Sequence, residues 1–88
     1  MVKAYVLIKT ESGKEDATLK AILGLSIVEE AHEVFGPYDI IVEVRARDMD
    51  SIVDIVVSKI RRIDGIIDTQ SLIAIDAELD MTSTNLAT

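Results

Sequence analysis

The chain has 88 residues and a formal net charge of −7, enough for one small domain and too little for a catalytic domain with a second module. The acidic balance argues against direct binding to nucleic acid or anionic lipid. The absence of cysteine excludes disulfides and thiolate chemistry, and the single histidine, His32, excludes a Cys/His zinc site within one chain.

Residues 4–10, Ala-Tyr-Val-Leu-Ile-Lys-Thr, read as a strand with both faces largely apolar. Ser12-Gly13-Lys14-Glu15 has the spacing of a capping box and predicts a helix to about Leu23, with Thr18, Ala21 and Ile22 on one face. Gly24 stands where a left-handed residue would end that helix. Residues 26–35 alternate as a second strand, Ile27, Ala31 and Phe35 on one parity and Val28, His32 and Val34 on the other. Gly36-Pro37-Tyr38-Asp39 is a turn. In the strand that follows, 40–46, Ile40, Val42, Val44 and Ala46 oppose Ile41, Glu43 and Arg45.

Asp48 is a natural N-cap for a second helix with a broad apolar stripe, Ile52, Val53, Val56, Val57, Ile60 and Ile63, closed by Gly65. Residues 66–77 form the last strand, with Ile67, Thr69, Ser71, Ile73 and Ile75 of one parity. The echo of Ala21-Ile22-Leu23-Gly24-Leu25 in Arg62-Ile63-Asp64-Gly65-Ile66 supports a doubled βαβ unit. The expected fold is therefore α+β, a ferredoxin-like βαββαβ sandwich over residues 1–79 with both helices on one face, followed by an irregular polar tail, 80–88. Only 3% of residues are aromatic among 49% hydrophobic, so the core has to be aliphatic. Strands with apolar residues on both parities would leave the second sheet face exposed, and a second copy of the chain is expected to cover it.

Motif chemistry is sparse. His32 lacks a nucleophile and an orienting partner, and strand alternation alone accounts for it. Asp48, Asp50 and Asp54 suggest a calcium loop, but Val53 and Lys59 stand where that loop needs Gly and Glu, so no metal site is expected. Arg45, Arg47, Arg61 and Arg62 are too few against 16 acids, and lack the interleaved aromatics of an RNA-binding sheet. No Gly-rich phosphate loop is present, and no cofactor is expected. The longest apolar run, Ala21 to Val28, is interrupted and too short to span a bilayer. The N-terminus leads directly into a strand without the shape of a signal peptide, so a cytoplasmic address is expected. What remains is the turn, where Gly36 permits close approach to a ligand, Tyr38 offers a ring and a hydroxyl, and Asp39 can accept from an ammonium group. Thr69 and Ser71 add two hydroxyls on an otherwise apolar strand parity, which need partners.

These segments together resemble the effector-binding (RAM) domain of the Lrp/AsnC family of amino-acid-responsive regulators. The resemblance runs over residues 2–77 and is carried by residues 4–10, by Gly13-Lys14-Glu15, by Ala31-His32-Glu33-Val34-Phe35-Gly36-Pro37-Tyr38-Asp39-Ile40, and by Gly65-Ile66 leading to Thr69-Gln70-Ser71-Leu72-Ile73. It implies dimers through the open sheet faces, forming a dimeric α+β barrel, and rings of dimers of octamer or decamer size. It also implies an amino acid bound between dimers, with Gly36, Tyr38 and Asp39 holding its amino and carboxylate groups, Pro37 in the same ligand-binding loop, and Thr69, Gln70 and Ser71 lining the pocket. Full-length relatives carry an N-terminal DNA-binding domain and this chain starts at the first strand, so a stand-alone module is expected, acting without direct nucleic-acid contact, with a full-length Lrp/AsnC regulator as a candidate partner. Phe35 stands where relatives often carry a small hydroxyl residue, and Pro37 stiffens the loop. The alternatives are a cofactorless dimeric α+β-barrel enzyme, which would need a histidine or an acid pair in a pocket between helices and sheet and has only His32 to offer, and a structural assembly subunit with a degenerate pocket.

Overall fold

The six elements expected from the sequence appear as four strands and two helices in the computed structural model, which describes residues 1–75. The expected tail, 80–88, and the end of the expected last strand lie outside the described residues. The order is β1 (Val2–Thr10), α1 (Glu15–Leu23), β2 (Val28–Glu33), β3 (Ile40–Ala46), α2 (Met49–Ile55), continued by a π-helical turn (Val56–Ile60), and β4 (Ile66–Ala74). The sheet runs β2-β3-β1-β4 with every pairing antiparallel. This is the expected ferredoxin-like βαββαβ arrangement.

The core lies between the sheet and the helices. β3 shows the predicted alternation without exception: Ile40, Val42, Val44 and Ala46 are buried, and their neighbours are not. They pair with Ala4, Val6 and Ile8 of β1 on the same face. Ile22 of α1 and Ile52, Ile55, Val56 and Ile60 of α2 and its π turn close over them. The core is aliphatic throughout, as the composition requires.

Several local expectations need correction. Ser12 does not cap α1: Lys14 occupies the N-cap position and makes no side-chain cap bond. The segment turns through Gly13 at φ +87, and Lys14 Nζ instead reaches Asp64 Oδ2 at 3.3 Å, fastening the start of α1 to the turn before β4. That hydrogen bond, with the negative charges of Asp64 and Glu11, holds the Lys14 ammonium above its ordinary pKa. Gly24 is right-handed at φ −75, whereas Gly65 is left-handed at φ +96. The internal echo is thus one of sequence and not of backbone geometry. On α1, Ala21 is exposed, and Leu19 packs against the core beside Thr18 and Ile22.

β2 departs from simple alternation because its register shifts between Val28 and Glu30. The bulge turns Val28 and Ala31, of opposite parity in sequence, toward the core side, opposite Val44 and Val42. Phe35 lies beyond the strand and is fully exposed. The second helix begins as predicted, with Asp48 Oδ1 accepting from the Ser51 N–H at 2.8 Å, and this bond holds the Asp48 carboxyl below its usual range. It ends earlier than predicted, in a π turn closed by the Arg61 N–H donating to the Val56 carbonyl at 2.9 Å. Gly65 belongs to the following turn.

Candidate functional site

Gly36 to Asp39 joins β2 to β3 and is tied down on both sides. The Asp39 N–H donates to the Ile8 carbonyl at 2.8 Å, and the Val34 N–H donates to the Asp39 carbonyl at 2.9 Å. Asp39 Oδ2 accepts from the Thr10 N–H at 2.8 Å and from the Thr10 hydroxyl at 3.2 Å. Thr10 is buried where β1 shifts register against β4, and the carboxylate satisfies a backbone donor there that cannot be left unpaired without cost. Lys9 Nζ donates to the Pro37 carbonyl at 3.2 Å. The Tyr38 hydroxyl donates to Gln70 Oε1 on β4. Between these anchors Gly36 has φ +143, and a Cβ placed on it would meet nothing within 4 Å. Among the described residues, the N–H groups of Gly36 and Tyr38 donate to no partner. The loop therefore offers open backbone donors, while Asp39 spends one carboxylate oxygen on β1.

Strand alternation divides the predicted β4 residues between the two faces of the sheet. Gln70 pairs with Leu7 and lies on the face away from the helices, toward Tyr38. Thr69 and Ser71 pair with Ile8 and Val6 and lie on the helix face. There they border a cleft of about 270 Å³ between β4 and the second helix. Within one chain the structure brings Gly36, Pro37, Tyr38, Asp39 and Gln70 together and sets Thr69 and Ser71 apart from them.

The cleft contains residues that the sequence reading assigned elsewhere. Val53 and Val57, expected in the core stripe, are 53% and 50% exposed and form one wall. Arg61, considered only as part of a basic patch, stands at the same cleft. Positions 53, 57 and 61 recur every four residues, a row that drifts around a regular α-helix; the wider π turn at 56–60 intervenes before Arg61. That spacing is the signal by which Arg61 could have been found.

The open face carries Tyr5, Ile41, Glu43, Glu30 and His32 around a second hollow of about 200 Å³. His32 Nε2 lies 3.7 Å from Glu30 Oε1, and Lys3 pairs with Glu43 at 3.5 Å. His32, the one histidine the enzyme alternative could draw on, is on the side of the sheet away from the helices. Among the described residues no cluster of His, Asp and Glu is arranged to hold a metal ion, and no helix is long and apolar enough to cross a membrane.

The family described as the Lrp/AsnC ligand binding domain matches residues 3–84. Among solved structures, a hypothetical protein from Pyrococcus horikoshii is 36% identical, with 85% of this chain and 90% of that one covered and a TM-score of 0.79. A Thermus thermophilus protein is 35% identical over 88% of this chain and 96% of its own, at a TM-score of 0.83. E. coli AsnC is 29% identical over 84% of this chain but only 50% of its own length, at a TM-score of 0.80. A Neisseria meningitidis transcriptional regulator solved with L-Met shares the fold at a TM-score of 0.76 with 15% identity. No curated protein matches the sequence.

Proposed function

Because the chain belongs to the Lrp/AsnC ligand-binding domain family, we propose that it is a non-catalytic amino-acid-binding module that acts on transcription through its state of assembly. The observation that carries this reading is the division of the candidate site across the sheet. The Gly36–Asp39 loop presents unpartnered backbone N–H groups suited to a carboxylate, and Thr69 and Ser71 border the cleft on the other face. One ligand can meet both groups only where two chains adjoin. Binding at such a junction couples occupancy to oligomerisation. The Neisseria regulator that shares this fold was solved as a complex with L-Met, which supports an amino acid as the ligand class.

Homodimers form through the open sheet face, where Tyr5, Leu7 and Ile41 remain partly exposed and Leu72 is 49% exposed. Dimers then join in rings, and a full-length Lrp/AsnC regulator is a partner in which this module would exchange. The test is light scattering on the full chain with each of the twenty amino acids, paired with thermal unfolding. The expected result is that one or a few amino acids raise the melting temperature and change the mass together, and that Tyr38→Phe or Gly36→Val weakens both effects. If no amino acid does either, the sensor reading fails, and an assembly subunit with a degenerate pocket takes its place.

A further inference from the structure

The cleft between β4 and the second helix combines three features that a solvated groove does not need. Its wall is aliphatic, built from Ile52, Val53, Val56 and Val57 on the helix side and Ile73 on β4. At that wall stand three polar side chains, Arg61, Thr69 and Ser71, and none of them has a hydrogen-bond or ion-pair partner among the described residues. Among the described residues its lining contains no carboxylate. The nearby acid on the second helix, Asp54, is held instead by the Ser58 hydroxyl at 3.0 Å. A guanidinium without a counter-ion beside apolar surface is complementary to a carboxylate, which it grips through paired N–H donors. The hydroxyls can donate to the same anion or to an adjacent carbonyl oxygen. At about 270 Å³ the space is close to the small end of the range for ligand pockets, about 300–1,000 Å³, and suits a short branched hydrocarbon.

We infer that this cleft is a binding site for a small aliphatic monocarboxylate, with the carboxylate on Arg61 and the hydrocarbon against Val53, Val57 and Ile73. The inference rests on the sensor reading only in taking this cleft as part of a ligand site, and parts from it in the ligand and in the group that grips the carboxylate, Arg61 in place of the loop N–H groups. With no acid in the lining to receive an ammonium group, the cleft recognises the acid and the chain. A branched 2-oxo acid therefore binds at least as well as the amino acid of the same skeleton.

The experiment is calorimetric titration of the full chain with 4-methyl-2-oxopentanoate, leucine and leucinamide, on the native sequence and on Arg61→Gln, Arg61→Lys and Ser71→Ala. Arg61 is exposed and unpaired, so its replacement leaves the fold intact, which thermal unfolding verifies. The expected result is binding of the oxo acid and of leucine, none of leucinamide, a loss of about tenfold or more in Arg61→Gln, and partial retention in Arg61→Lys. Binding of leucine without the oxo acid, or binding indifferent to Arg61→Gln, overturns the inference and leaves the sensor reading standing. Binding of the oxo acid through Arg61 with no amino acid bound sustains the inference and overturns the amino-acid reading. If none of the probes binds, and the twenty-amino-acid screen is also silent, both fall.

Discussion

Asp39 closes the β2–β3 turn onto Thr10, its Oδ2 atom taking both the Thr10 backbone N–H at 2.8 Å and the Thr10 hydroxyl at 3.2 Å. A residue expected to hold a ligand's ammonium group is thus first a fastener between the turn and β1. Asp39→Ala is predicted to destabilise the chain by about 1–3 kcal/mol, since it removes a charged acceptor and strands a backbone donor. Thr10→Val removes only the hydroxyl bond, and in a double-mutant cycle the pair should couple. Urea unfolding of the native chain, the two single variants and the double variant measures this, and additive effects would refute the hydroxyl's share of the fastening, while the cost of Asp39→Ala alone reports the backbone bond. The same numbers correct any loss of ligand binding in Asp39→Ala for the share that is merely a loosened loop.

Gly65 is predicted to be intolerant of any side chain. A Cβ there would lie 2.6 Å from Thr18 Oγ1 and 3.2 Å from Lys14 Cβ, on a backbone at φ +96. Thr18 is itself buried and donates its hydroxyl to the Asp64 carbonyl at 3.2 Å, so it cannot swing away without losing that bond. The left-handed backbone alone costs about 1–2 kcal/mol for a non-glycine residue, and the clash adds to it. Gly65→Ala combined with Thr18→Ala should recover the clash and keep the backbone strain, so the double variant is more stable than the two single losses added together. Thermal unfolding decides it.

Among the described residues, two carboxyl groups shifted from their ordinary values, Glu33 and Asp48, are predicted to act in opposite directions on stability. The hydrogen bond that Glu33 shares with Asp16, together with desolvation and the negative charges of Asp16 and Glu15, raises the Glu33 pKa above 4.5. The folded state therefore binds that proton more tightly than the unfolded chain. Stability falls as pH rises from about 4.5 through the raised value, and the deficit is complete above it. Glu33→Gln should raise the melting temperature at neutral pH and give no gain below the unfolded value. Asp48 is lowered from 3.8 by its bond from Ser51, so its contribution is present above that value and is lost as pH falls through the lower folded one. Asp48→Asn should flatten the acid limb without altering the Glu33 window. Melting temperatures across pH 2–8 separate the two.

The core side of the sheet was legible because β3 alternates cleanly, and because Ala4, Val6 and Ile8 have to match it across the ladder. The bulges were not legible. Nothing in Val28-Glu29-Glu30 marks the residue that drops out of register, and Thr10 gives no sign that its N–H leaves the strand for Asp39. The division of the site was within reach, since Thr69 and Ser71 share a parity that Gln70 does not, but grouping them as one pocket hid it. Arg61 escaped because the basic residues were weighed as a patch along the sequence, whereas its neighbours in space are four and eight positions back, at Val57 and Val53.

The face of the sheet away from the helices gives the last prediction. Tyr5, Leu7 and Ile41 lie there partly exposed, Leu72 is 49% exposed, and the Lys3–Glu43 pair sits on the same face with side chains only 17% exposed. Apolar groups of this kind, on a face that no helix among the described residues covers, favour burial against a second sheet. In such a packing, Leu72→Asp or Ile41→Asp would place an unpaired carboxylate between two sheets, where desolvation opposes it strongly. Either substitution should therefore lower the mass measured by light scattering to that of the single chain while leaving the monomer's own core intact. Val53→Asp on the opposite face should leave the dimer in place and disturb only larger assemblies. If Leu72→Asp and Ile41→Asp keep the native mass, the open face is solvated in the assembly and the chains meet elsewhere.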